Sequence, residues 1–306
     1  MDFSKKLIDI KKFNNSVLTI GSFDGMHIGH NKILSDLKKI SKKHKIPSIV
    51  ITFDPHPSMV LKSDASCKTL QGVNDKLSSI NRCGIDFVWV IPFDRQFSKV
   101  TAKEFLYNYI IKYFNPSKII IGYDHHFGFN REGDERFLKL HQDEFDYNLE
   151  IKKPILYKNK PISSSRIKSF LDNGDIQSAN VCLGRKFELL GRVVKGEGLG
   201  VKLNFPTANI VSLNNDQFIP SNGVYYIEAI INNDHYDGMC NIGTRPTFYK
   251  NGPRVIEAHL FTNDLLSIYD QIIMLKFKKF LRNEQKYNNQ NELLYQLEKD
   301  RQKCYI

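Results

Sequence analysis

Residues 21–30 read GSFDGMHIGH, preceded by the apolar run Val17, Leu18 and Ile20 and followed by an amphipathic segment carrying Ile33, Leu34, Leu37 and Ile40. The pattern predicts strand, glycine turn and helix. Gly21 and Gly25 permit tight backbone turns, and Gly29 leaves room for a ligand at the first helical turn. His27 and His30 stand three residues apart. At a helix start they share one face, beside unpaired N–H groups and the positive end of the helix dipole. This is the chemistry of a phosphate site.

The stretch is neither of the two common phosphate loops: it lacks G-x-x-x-x-G-K-[ST], and its glycines are spaced by four, so it is not G-x-G-x-x-G. The H-x-G-H pair resembles the signature of the nucleotidylyltransferase superfamily, whose Rossmann-like domain transfers a nucleoside monophosphate from a triphosphate. Two plainer readings stand beside it: the histidines hold a metal, or they simply end a helix. Two ligands with no third Cys or His near in sequence make a poor metal set. Chance histidines leave the glycines and the preceding strand unexplained.

At 306 residues the chain has room for two domains, and 41% hydrophobic with 25% charged residues fits a soluble globular protein. The net charge of +11 is spread thinly through Lys-rich segments such as Lys38, Lys39, Lys42, Lys43 and Lys45. It reads as a solvated basic surface that also attracts anionic substrates, rather than a nucleic-acid face, since no aromatic-basic RNA motif or zinc-finger spacing occurs. Five cysteines (Cys67, Cys83, Cys182, Cys240 and Cys304), none in C-x-x-C, indicate neither a disulfide framework nor a zinc site. No signal-type apolar region and no long apolar run is present, so the expectation is a cytoplasmic protein with no membrane and no nucleic-acid partner.

Along the first half, SIVITF (48–53) bounded by DPHP (54–57), FVWVIPF (87–93) and SKIIIG (117–122) read as further strands. Helical patterns surround Lys76 to Arg82 and span 101–114, the latter with Thr101 as N-cap and Glu104 three residues on. Four strands alternating with helices predict a parallel α/β sheet with ligands at the carboxyl ends of its strands. Polar loops follow each strand, GYDHHFG (122–128) among them, where Asp124 can accept hydrogen bonds from a sugar or base and Gly128 leaves room. ISSSRI (162–167) opens another helix, with Ser164 or Ser165 as N-cap; hydroxyls and Arg166 there would also hold phosphate oxygens.

From about residue 187 the texture turns to short β-rich runs, FELLGRVV, GVYYIEAII, HYDGMCNIG, RVIEAHLF and QIIMLKF, separated by turn residues. They predict an antiparallel barrel or sandwich, against which a terminal helix over 289–304 packs Leu293, Leu294 and Leu297. The domains are expected as 1–184 and 185–306. In GRVVKGEGLGVKLNFPTANI (191–210), Gly196, Gly198 and Gly200 form a loop able to wrap phosphates. Thr207 and Asn209 follow at a two-residue spacing that points both side chains the same way in an extended segment, so hydroxyl and amide oxygen can share one Mg²⁺.

Taken together, GSFDGMHIGH, TFDPHP, the G-x-D-x-x-F-G loop, ISSSRI and FPTAN resemble, in order and over nearly the whole chain, the bacterial bifunctional riboflavin kinase/FMN adenylyltransferases, or FAD synthetases. The resemblance implies an N-terminal Rossmann-like nucleotidylyltransferase domain and a C-terminal antiparallel β-barrel kinase domain. It implies ATP as co-substrate, Mg²⁺, and riboflavin, FMN and FAD as substrates and products, in a monomer or weak homo-oligomer. His27, His30 and Arg166 then serve adenylyl transfer, with Gly21, Phe23, Asp24, Gly29, Ser164 and Ser165 around the ATP phosphates. Phe53, Pro57, Asp124, Phe127 and Gly128 fall on the flavin side. In the second half Gly196, Gly198, Gly200 and Lys202 meet phosphates, Thr207 and Asn209 hold the metal, and Glu257 is the base for the riboflavin hydroxyl. The chain departs from the family pattern at Ser165, often Thr; at His125, often Phe; and at Val201, often Arg. Two other readings are open: nucleotidyl transfer to a different phosphorylated acceptor, and a nucleic-acid-binding protein with vestigial sites.

Overall fold

The computed structural model describes residues 12–62, 67–195, 207–244, 254–262 and 268–305. The chain divides into two compact units, Met1–Ser164 and Ser165–Ile306.

The first unit is built on strands β1 (Ser16–Ile20), β2 (Ser48–Asp54), β3 (Phe87–Pro92), β4 (Pro116–Gly122) and β5 (Asn148–Lys152) in one sheet of order β3-β2-β1-β4-β5. Every neighbouring pair in it is parallel. The strands are apolar on both faces, as a sheet covered on both sides requires. One face carries Leu18, Ile20, Ile49, Ile51, Trp89, Ile119 and Ile121 against the segment from Ala102 to Phe114. The other carries Val17, Val50, Val88 and Ile120 under helices α1 (Ile28–His44) and α3 (Val73–Arg82). A single turn of helix, α2 (Pro57–Leu61), follows β2.

The expected helix over 101–114 forms with the predicted capping box of Thr101 and Glu104. It begins as α4 (Ala102–Glu104), widens into a π-helical stretch (Phe105–Ile111) and closes as α5 (Lys112–Phe114). Strand β5, preceded by the short helix α6 (Glu135–Leu140), was not among the expected strands. Its sequence NLEIK lies at the sheet edge and is only half-buried, so it lacks the apolar signature of the inner strands.

At the amino ends of β2 and β3 one carboxylate gathers four bonds. Asp86 accepts from Lys38 Nζ at 2.7 Å, Ser41 Oγ at 3.2 Å, Ser48 N at 2.9 Å and Ser48 Oγ at 2.6 Å. Its partial burial would raise its pKa, but the bonds from Lys38 and Ser48 draw it down to about 2.

A two-stranded ribbon, β6 (Leu156–Tyr157) and β7 (Lys160–Pro161), ends the first unit. The second opens with helices α7 (Ser164–Asp172) and α8 (Ile176–Leu183) and then forms a closed barrel. Its strands are β8 (Phe187–Val194), β9 (Ala208–Ser212), β10 (Gly223–Ile231), β11 (Asp234–Thr244), β12 (Arg254–Leu260) and β13 (Ile272–Arg282), in the order β10-β11-β12-β9-β8-β13. All pairings are antiparallel. Alternate residues such as Leu189, Ile210, Ile227, Ile242, Ile256 and Leu275 fill the interior. The expected α/β unit and antiparallel barrel are therefore both present.

The units part earlier than the expected 184/185 division because α7 and α8 are tied to the barrel. Asn180 Nδ2 donates to Phe277 O at 2.9 Å, its Oδ1 accepts from Phe187 N at 2.7 Å, and Ser221 N donates to Leu171 O at 3.0 Å. The terminal helix α9 (Gln290–Lys303) starts at the N-cap Asn289 and half-buries Leu293, Leu294 and Leu297. Its fully buried residue is Asp300, paired with Arg282 Nε at 2.7 Å.

Candidate active sites

Strand β1 ends at Ile20, and the loop that leaves its carboxyl end turns through Phe23 in the left-handed region (φ 50°) before His27 caps α1. Phe23 is buried and presents its ring edge to His30, with centroids 5.2 Å apart. The two imidazoles stack, centroids 3.6 Å apart and planes within 17°. His27 Nδ1 accepts from His30 N at 3.3 Å. An accepting Nδ1 carries no hydrogen, so the proton of neutral His27 resides on Nε2. A Cβ on Gly29 would stand 3.1 Å from the His27 ring, so this glycine is what lets the imidazole fold over the helix start.

Burial lowers the pKa of His27 to about 4 despite the nearby Asp24, and burial followed by the charges of His27 and Lys76 holds His30 well below the usual range. Both rings are neutral at pH 7. The Nδ1 atom of His30 is shielded from solvent and meets no hydrogen-bonding partner among the described residues. A buried ring nitrogen left over in the first turn of a helix suits an anionic ligand that brings its own charge.

Asp24 faces the scaffold: its Oδ1 accepts from Leu70 N at 2.7 Å, and its carbonyl accepts from Ser164 Oγ at 2.8 Å. The one proton of Ser164 is thus engaged within the first unit. Ser165 and Arg166 belong to the second unit, where the Arg166 guanidinium lies over the Phe170 ring at 5.1 Å.

At the end of β2, Phe53 packs with Phe93 and Phe97, centroids 5.7 and 6.5 Å away. Pro57 opens α2, whose cap His56 accepts from Ser58 N. After β4, Asp124 is exposed. Phe127 is buried against Phe105 and Phe137, and His125 stacks on it at 5.6 Å. Gly128 adopts φ +75°, and a Cβ there would lie 2.6 Å from Ala102 N. Burial, assisted by His126, lowers His125 to about 4, and its Nε2 is buried without a partner among the described residues.

On the barrel, register places Asn241, Glu257 and Asn209 directly opposite one another across β11, β12 and β9. Their neighbours Ile242, Ile256 and Ile210 point inward, so the three polar side chains share the outer face. Asn209 is 9% exposed, and its Oδ1 is buried with no donor reaching it among the described residues. Thr207, two residues earlier, is exposed. Gly196, Gly198, Gly200 and Lys202 lie outside the described residues.

Two residues escaped the sequence reading. Lys76 is 6% exposed and donates to three oxygens at the ends of β1 and β2. The signal was there: Val73, Lys76, Leu77 and Ile80 fall at apolar-stripe spacing, with a lysine inside the stripe. Asn241 is set beside Glu257 by strand register, which has no local sequence signal.

Residues 9–166 match the family model for FAD synthetase, and residues 183–305 match that for riboflavin kinase. The bifunctional riboflavin kinase/FMN adenylyltransferase of Bacillus subtilis (strain 168) is 36% identical over 94% of this chain and 91% of its own length. The chain belongs to the bifunctional riboflavin kinase/FMN adenylyltransferase family. The member from Buchnera aphidicola subsp. Schizaphis graminum is 38% identical over 98% of this chain and 96% of its own. Among solved structures, a Streptococcus pneumoniae chain described as a macrolide-efflux protein is 28% identical, covers 98% of this chain and 97% of its own, and superposes with a TM-score of 0.89. The FAD synthetase match takes in the histidine loop, Lys76 and the aromatic loops, and the riboflavin kinase match takes in the Asn241, Glu257 and Asn209 row.

Proposed function

We propose that the two reactions of the family are divided between the two halves of the chain, adenylyl transfer in residues 1–184 and phosphoryl transfer in 185–306. The chain phosphorylates riboflavin to FMN with ATP and adenylylates FMN to FAD with release of pyrophosphate. The observation that carries the first assignment is the stacked, neutral His27 and His30 pair in the loop after β1. The attacking group in adenylyl transfer is a phosphate of FMN, an anion at neutral pH, so no general base is required. What the protein supplies is orientation and donors around the α-phosphate. His27 donates from Nε2, and the first-turn N–H groups of α1 add theirs. Phe53, Pro57, Asp124 and the Phe127–Gly128 loop form the flavin side.

In the barrel half, the Oδ1 of Asn209, buried and without a donor among the described residues, is a hard oxygen suited to Mg²⁺, with the Thr207 hydroxyl as second ligand. When bound there, Mg²⁺ would offset the negative charge of the ATP phosphates. Glu257, opposite Asn209 in register, accepts the proton of the riboflavin 5′-hydroxyl. A carboxylate is a weak base toward an alcohol, so this transfer falls late, once the bond to phosphorus is forming. The reading takes the protein as cytoplasmic and as a monomer or weak homo-oligomer.

The description of the Streptococcus pneumoniae chain names efflux, whereas the curated relatives are named for the two transfers. Both family models and the histidine loop favour the enzymatic names. A time course with riboflavin, ATP and Mg²⁺, resolved by chromatography, tests the reading: FMN rises first and then converts to FAD. FMN that accumulates without FAD would refute the adenylyltransferase assignment and send the search to other phosphorylated acceptors.

A further inference from the structure

Lys76 projects from α3 into the interior, 6% exposed, where Nζ lies 3.3 Å from Ser22 O, 3.1 Å from Thr52 Oγ1 and 2.9 Å from Phe53 O. All three are acceptors toward it, since Thr52 passes its own hydroxyl hydrogen to Ser22 O at 3.3 Å. Three acceptors match the three hydrogens of an ammonium, whereas a neutral amine has two. Burial lowers the Lys76 pKa to about 8, and the carboxylates of Asp54 and Asp24 act against that, so the amine is an ammonium at pH 7. Packing alone does not call for a cation here, because a methionine fills similar space with no desolvation penalty.

What the ammonium holds is the carriage of the two histidines. Ser22 leads directly into Phe23, whose ring abuts His30, and Gly21 N is fastened to Ile51 O at 3.0 Å. On the β2 side the same nitrogen holds Thr52 and Phe53, and Phe53 begins the aromatic cluster with Phe93 and Phe97. One cation therefore joins the expected triphosphate loop to the expected flavin wall.

We propose that Lys76 is a positioning residue for adenylyl transfer, acting through Ser22 and Thr52 to fix the spacing between the His27–His30 loop and the end of β2. With all three hydrogens engaged it does not touch substrate. The inference rests on the assignment of adenylyl transfer to this half of the chain.

The test uses the full chain and measures kcat and KM for FMN-to-FAD conversion, with riboflavin-to-FMN conversion in the same preparations as an internal reference. Lys76→Met lowers kcat for FAD formation about 100-fold while shifting KM for ATP and FMN less than about fivefold, because alignment in the transition state is what is lost. Riboflavin phosphorylation is unchanged. Lys76→Ala recovers about tenfold of its lost rate when propylammonium is added, which a purely structural role would not permit. Thr52→Val keeps the lysine and the side-chain shape, and loses about tenfold in kcat through the broken tie; it decides the matter alone if the lysine variants do not fold. A Lys76→Met or Thr52→Val enzyme with wild-type kcat, or a loss confined to KM, would overturn the inference. Wild-type protein that makes FMN but no FAD would instead overturn the assignment beneath it.

Discussion

The rings of His27 and His30 lie face to face with centroids 3.6 Å apart, and burial keeps both uncharged. Two imidazolium ions at that separation would repel strongly, so the pair waits as neutral donors until a polyphosphate supplies the countercharge. His30→Ala should reduce FAD formation by about 10²–10³ while leaving riboflavin phosphorylation intact. Glu257→Gln should give the reverse pattern. Chromatographic rates for both steps check this, and the loss of both activities in either folded variant would contradict separate sites.

Buried histidines also make stability depend on pH. His27 and His125 titrate near 4 in the folded chain against about 6.5 when unfolded, so below pH 6.5 the unfolded state binds more protons. Stability is therefore full above pH 6.5, declines as pH falls toward 4 by about 1.4 kcal/mol per unit for each such ring, and levels off below. Trp89, the single tryptophan, is buried in the first unit and reports its unfolding. His27→Gln should flatten the decline of the Trp89 transition between pH 6.5 and 4.

Gly128 combines φ +75° with a Cβ position 2.6 Å from the backbone nitrogen of Ala102. Gly128→Ala should destabilise the first unit by about 1–3 kcal/mol and displace the 122–128 loop. A lower Trp89 transition together with a KM for FMN raised more than that for ATP is the expected result.

Asn209 leaves a buried oxygen without a donor among the described residues, a stability cost that an apolar residue removes. Asn209→Leu should leave the barrel as stable as before or up to about 1 kcal/mol more stable, while riboflavin phosphorylation falls by more than about 100-fold. Denaturant titration beside the kinase assay tests both signs at once. A variant that is both active and less stable would remove Asn209 from the metal set.

The sequence displayed what depends on local pattern. The β1 strand, the glycine turn and the histidine helix were readable because period and punctuation change within a few residues, and the Thr101–Glu104 capping box because its spacing is fixed. Strand β5 was not, since half-buried NLEIK owes its place to pairing with β4. Lys76 carries no motif of its own, although its neighbours Leu77 and Ile80 mark that face as interior. The Asn241, Glu257 and Asn209 row forms only when three strands distant in sequence come into register. Local physics specifies elements, and sites made between elements must wait for the sheet.

Asp86 binds α1 and the starts of β2 and β3 into one polar knot at the amino end of the parallel sheet, whereas the histidine loop, Lys76 and the aromatic loops all lie at the carboxyl end. Anchorage and chemistry are thereby assigned to opposite poles of the same strands. A lineage could rewrite the loops at one pole, and with them the acceptor that receives the nucleotide, without untying the other; the scaffold is insulated from its own specialisation.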